Sequence, residues 1–207
     1  MFDLPSSTYC NKFIAKNKFF ERKKIKLNIK DDFYSLIKRI TWKYKLAEET
    51  IGVDKTEKVE EIEIFEIDLK IRRVSESIIK IIDNVVQYPV LYVFKYNDSL
   101  CYGIFVKKDN IYKFYNSKWG EKINFDFKGI NLENIYQNLV KVFIKNIDKT
   151  NKDFNDIIDI DVNIERLKKE IEVLKNKIKK AKQSKILFEY SKELNNKKKE
   201  LNKLLNI

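Results

Sequence analysis

The chain has 207 residues, 43% hydrophobic and 13% aromatic, with a formal net charge of +12, enough for one sizeable core and an appendage. It has no histidine, which excludes serine and cysteine triads, the usual zinc sites and histidine-based nuclease chemistry. Gly52, Gly103, Gly120 and Gly129 are too scattered for a phosphate-cradling loop, and two distant cysteines, Cys10 and Cys101, suit neither a disulfide framework nor a metal knuckle.

Residues 1–30 carry eight Lys or Arg against two acids, a net +6, and read as an ordered basic N-terminal arm. From Asp31 the spacing changes. Phe33, Leu36, Ile37, Ile40, Tyr44 and Ala47 recur at three and four residues after an Asp pair able to cap a helix, which predicts an amphipathic helix near 32–47. The stretch "EKVEEIEIFEIDLKIRR" then predicts a strand near 59–71. Alternation puts Phe65, Ile67, Leu69 and Ile71 on one face and Glu66, Asp68 and Lys70 on the other. "VSESIIKIIDNVV" returns to helical spacing and predicts a helix near 74–86, ended by Pro89. Three β-rich runs near 89–96, 100–107 and 111–116, separated by "DS" and "DN", read as an antiparallel meander. Ile135, Leu139, Val142 and Phe143 predict a helix near 132–147 that covers the sheet.

The fold class is therefore α+β: a mostly antiparallel sheet of four or more strands covered by helices, in a globular domain over 31–150, with a C-terminal coiled-coil helical arm or hairpin. After a polar hinge, residues 151–207 form the charged coiled-coil tail, helical from about Asp161. Ile164, Leu167, Ile171, Leu174 and Ile178 follow a heptad. Leu187, Leu194 and Leu201 repeat by sevens two residues out of that register, so an antiparallel hairpin around "AKQSK" and one long helix with a stutter both fit. These eight residues are the candidate partner-binding surface, and the same seam can join two copies of the chain into a homo-oligomer.

Residues 155–207 hold fourteen basic residues against nine acids, a net +5, so the charge sits at the two ends. Lys23, Lys24 and Lys26 with Lys179, Lys180 and Lys182 are the candidate contacts to DNA phosphates. Only five of the 43 basic residues are arginine, a usage that also fits a plain solvated basic face. No apolar run approaches the roughly 20 residues that span a bilayer, and the start Met1-Phe2-Asp3 is no secretory leader. The expectation is a cytoplasmic protein without a membrane partner.

The acid and lysine spacing of Glu66, Asp68 and Lys70 is that of a PD-(D/E)xK nuclease strand, where the acid holds a divalent metal and the lysine polarises water. Such a site needs a second acid. If Asp54 sits at a hairpin turn before this strand, it lies roughly 30 Å from Asp68 at 3.3 Å per residue, with Tyr44 and Lys45 opposite Asp68. Glu48, Glu49 or an acid elsewhere in the chain would then supply it. The dense aromatics from Tyr92 to Trp119 read as core and cross-strand pairs before they read as a base-stacking platform.

The phrases "LPSSTYCNKFIAKNKFFE", "ITWKYKLAEETI", "EIEIFEIDLK", "YPVLYVFKY", "YNSKW" and "NLENIYQNLV" occur in this order in an uncharacterised bacterial family. The chain resembles the domain-of-unknown-function family numbered 4391 over nearly its whole length. Members tend to be encoded beside helicase-like ATPases, DNA methyltransferases and restriction-type subunits. The resemblance thus implies a restriction-modification-associated or antiphage defence role, with such an ATPase or methyltransferase as partner. It transfers no catalytic residue, cofactor or metal. Two readings follow: a non-catalytic accessory subunit that holds a partner through its coiled-coil tail and meets DNA through its basic ends, or a metal-dependent nuclease using Glu66, Asp68 and Lys70.

Overall fold

The computed structural model describes residues 2–21, 27–145 and 147–205. The chain forms two compact units, residues 1–143 and 144–207. In the first, a six-stranded sheet runs in chain order: β1 (Tyr9–Phe13), β2 (Ile37–Ala47), β3 (Glu61–Leu69), β4 (Val90–Tyr96), β5 (Ser99–Lys108) and β6 (Ile111–Asn116). Every neighbouring pair is antiparallel except β3 and β4, which are parallel. That one parallel step needs a crossover, and the chain supplies it as helix α4 (Glu76–Val85), numbered after α1 (Lys18–Glu21), α2 (Leu27–Leu36) and α3 (Glu48–Ile51). The fold is α+β with a mostly antiparallel sheet, as the alternation and turn signals predict. The β4–β5 and β5–β6 turns place Asn97 and Asp109 in the left-handed region, at φ 49° and 48°, which Asn and Asp tolerate well.

The helix predicted over 32–47 is corrected. Only its first part is helical, as the end of α2; from Ile37 to Ala47 the chain is β2. The cause is a pair of bulges. The β2–β3 register shifts between Ile37 and Arg39 and again between Trp42 and Tyr44. Each inserts a residue and breaks the two-residue period, so that Ile37, Ile40 and Tyr44 acquire spacings of three and four. The helix predicted over 132–147 is shorter, α5 (Leu132–Lys141), capped by the Asn131 side chain, which accepts from the Asn134 amide at 2.8 Å.

The first face of the sheet carries a buried cluster built on Phe65, Ile67, Tyr92, Phe94 and Phe105, packed with Phe33 and Leu36 of α2 and Ile78, Ile79 and Ile82 of α4. Most of the meander aromatics are thus core. On the second face Ile62, Ile64, Leu91 and Ile104 are buried, as are Leu132, Ile135 and Leu139 of α5. Gly103 on β5 sits where a Cβ would come within 2.4 Å of the Phe114 ring and 3.1 Å of Phe94. Gly103→Ala is expected to cost about 1–2 kcal/mol through overpacking, read from the midpoint of urea unfolding.

The second unit contains α6 (Phe154–Lys180) and α7 (Ser184–Leu205). Helix begins seven residues before Asp161, because the Asp153 carboxylate accepts from the Asn155 amide at 2.9 Å and caps it. The two helices form an antiparallel hairpin. Lys197 Nζ lies 2.8 Å from Glu170, Arg166 lies 4.0 Å from Glu200, and the Lys177 ammonium lies 5.4 Å over the Tyr190 ring. Among the described residues, no helix is long and apolar enough to cross a membrane.

Candidate functional site

The second face of the sheet holds the sequence-predicted acids. Glu66 and Asp68 share it, as the two-residue period requires. Glu66 pairs in register with Thr41 and Val93, and Asp68 with Arg39 and Lys95. Arg39, not Tyr44 or Lys45, therefore stands opposite Asp68. The segment after β2 is α3 and irregular chain rather than a strand turning at Asp54, and this moves the register. Lys95 Nζ reaches Glu66 at 3.4 Å, so a cation from the parallel neighbour answers the acid. Lys70 lies just past the strand, where its amide donates to the Leu36 carbonyl at 2.8 Å. Glu48 and Glu49 follow Ala47, which pairs with Glu61. Asp68 lies seven residue steps along β3 from Glu61, roughly 23 Å at 3.3 Å per residue. Among the described residues, no group of three or more Cys, Asp or Glu is placed to hold a metal ion.

Glu66 and Lys95 also line a cavity of about 930 Å³. Its sheet wall includes Tyr44, Ile64, Val93 and Tyr102, and its other walls come from Phe2–Pro5 and Ile123–Gly129. In the latter segment Ile123, Phe125 and Phe127 turn inward while Asn124, Asp126 and Lys128 stay exposed. The Phe2 ring lies 5.2 Å from Phe127 and 5.7 Å from Phe125, both edge-on, and Tyr102 lies 5.0 Å from Phe125. Burial pushes the Tyr44 and Tyr102 phenols upward, so both are neutral donors at ordinary pH. An aromatic wall beside the Glu66–Lys95 pair, with Asp3, Asp126, Lys43 and Lys128 also on the lining, suits a planar or amphipathic ligand with both a donor and an acceptor edge.

Two further charged groups lie away from that cavity. Asp83 of α4 is buried. It accepts from Tyr92 Oη at 3.3 Å and Tyr112 Oη at 2.8 Å, and its carboxylate lies 2.6 Å from Lys107 Nζ. Burial, then the Asp83 hydrogen bond, raises the Tyr112 phenol; burial and the Asp83 charge raise Tyr92. The second is Glu63 of β3, only 7% exposed and pushed up to about 7 by burial and by Glu61, against the pull of Lys45. Lys45 lies 2.7 Å from both Glu61 and Glu49, which raises its own pKa.

In the hairpin, Ile164, Leu167, Ile171 and Leu174 are buried, and Ile178, Leu194 and Leu201 are half-buried. Leu187 is 43% exposed and its neighbour Phe188 70% exposed. Lys179 and Lys180 end α6, Lys182 lies in the turn, and all three are exposed. Lys23, Lys24 and Lys26 lie outside the described residues. Cys10 and Cys101 are free thiols, Cys101 buried and donating to the Ser117 carbonyl at 3.3 Å.

A family model described as a domain of unknown function (DUF4391) matches residues 2–201. No curated protein and no solved structure matches the chain.

Proposed function

The chain belongs to the DUF4391 family, and on that premise we propose that it is a non-catalytic accessory subunit of a restriction-like or antiphage defence module. Its helical hairpin docks a partner, and the basic hairpin tip meets DNA. The observation that carries this reading is the exposed pair Leu187 and Phe188 on α7, just beyond a turn flanked by Lys179, Lys180, Lys182 and Lys185. α7 has no fully buried residue among those described, while its exposed apolar pair and ring of cations suit an apolar groove with an acidic rim. The resemblance names the partner class: a helicase-like ATPase or a DNA methyltransferase of the kind encoded beside family members.

Co-expression with those neighbouring gene products tests the proposal. Leu187→Asp with Phe188→Asp is expected to weaken capture of the partner by about 30-fold or more, the scale of losing an interface anchor, with the far-ultraviolet circular dichroism unchanged. Undiminished capture would overturn the docking surface. The nuclease alternative makes the opposite forecast: magnesium-dependent DNA cleavage by the purified protein that disappears in Asp68→Ala. That result would replace the accessory role.

A further inference from the structure

We propose that the β1–β2 edge of the sheet binds single-stranded nucleic acid, with bases stacked on Tyr9 and Phe13 and phosphates held by Arg39, Lys43 and their neighbours. The proposal stands apart from the hairpin reading, since it uses neither α6 nor α7.

The first support is charge. Residues 9–16 and 37–45 contain Lys12, Lys16, Lys38, Arg39, Lys43 and Lys45, and no acid. Lys45 is matched by Glu49 and Glu61, and Lys16 donates to the Ile37 carbonyl. Lys12, Lys38 and Arg39 are exposed and Lys43 half-exposed. On the sheet's second face acidic side chains begin at β3, with Asp68 and with Glu66, which Lys95 pairs, and Asp3 and Asp126 line the cavity beside Lys43 and Tyr44; these acids bound the track on its inner side. A polyanion laid along this edge is attracted by β1 and β2 and turned back at β3.

The second support is the rings. Tyr9 is 51% and Phe13 60% exposed, unusual for two aromatics on one short strand. Tyr9 pairs in register with Tyr44 and Phe13 with Thr41, which puts both on the second face. Each is capped by a cation: Lys43 lies 5.4 Å over the Tyr9 ring and Arg39 5.4 Å over Phe13. On the first face Lys12 repeats the arrangement at 5.5 Å over Trp42. Rings with one capped side and much of their surface open, interleaved with cations, make the stacking platform that single strands use. A duplex hides its base faces and cannot use it.

The geometry argues against the rival occupant, an added β-strand from another protein. β1 is an edge strand, but its register shifts between Tyr9 and Lys12, and Asn11 sits there at φ 49°. A bulge of this kind, with a lysine beside it, breaks the row of backbone groups that strand addition requires.

The test is fluorescence anisotropy with a labelled oligothymidylate of about 20 nucleotides at about 50 mM salt. Tyr9→Ala and Phe13→Ala are each expected to weaken binding roughly 5- to 150-fold, the effect of losing one stacked base, whereas Tyr9→Phe restores it. Arg39→Gln removes a phosphate contact and the cation over Phe13 while leaving both rings in place, and should flatten the log-log salt dependence by about 0.7. An oligouridylate arm distinguishes the sources, RNA or DNA, of the shared strand chemistry. A duplex of the same length should compete poorly. Absence of binding overturns the proposal, as does a duplex that competes equally, or alanine variants that retain circular dichroism and bind like the parent. The Leu187→Asp, Phe188→Asp protein should bind the oligonucleotide unchanged, so failure of the hairpin reading and failure of this one are separable.

Discussion

Replacing Glu63 with glutamine is expected to leave stability at pH 5 nearly unchanged and to raise it at pH 8 by about 2–3 kcal/mol. The Glu63 carboxyl lies on β3, beside Glu61 and facing the positive Lys45 of β2, with burial as the main force pushing its pKa from 4.5 to about 7. It also contributes to the field felt by Cys10 of β1 and Tyr92 of β4. The folded-state pKa lies above the unfolded one, so the folded protein keeps a proton that the unfolded chain releases. Stability therefore falls as pH rises from about 4.5 through about 7, and is lowest once both states are ionised. Glutamine carries no titrating proton and removes the slope. Urea unfolding of both proteins at the two pH values checks it; equal differences at both would show that Glu63 does not hold the proton.

Asp83→Ala is expected to cost about 2–4 kcal/mol, with Asp83→Asn closer to the parent. Tyr92 is wholly buried, so its hydroxyl loses an acceptor with no water to replace it, a loss of about 1–3 kcal/mol. Tyr112 is half-exposed and can turn outward, and Lys107, about half-exposed, returns to solvent. The rest of the cost is the space left by the side chain. Asparagine keeps an acceptor for Tyr92 while giving up the Lys107 pair. Thermal unfolding of both variants measures this; an alanine variant as stable as the parent would mean that the Tyr92 hydroxyl finds another acceptor.

Where a segment kept one period, its sequence was legible. β3 alternates from Phe65 to Leu69, and Glu66 and Asp68 lie on the face that alternation assigns them; at Ile64–Phe65 the apolar phase changes face, which leaves Glu63 on the core side. The meander from Val90 to Asn116 carries its turn residues in view, and α4 and α5 carry apolar stripes. β2 was not legible because its two bulges imitate helical spacing, and β1 was not because five residues with a bulge show no period at all. The site suffered more. Arg39 and Lys95 meet Asp68 from strands 29 and 27 residues away in the chain, a pairing fixed by register alone. The Phe2 and Ile123–Gly129 walls of the cavity come from extended chain outside any strand. Asp83 did leave a signal: one acid inside "IIKIIDNVV", where an apolar stripe tolerates a carboxylate only if partners wait for it.

Strand order in the sheet equals strand order in the chain. As the polypeptide leaves the ribosome, each strand emerges next to the partner made just before it, and β3 waits only for α4 before β4 joins. No connection closed during growth therefore spans another strand, which limits its entropic cost. The growing edge is always the newest strand, so at no stage does an older edge stand open for a segment not yet synthesised, the condition under which nascent β-proteins aggregate.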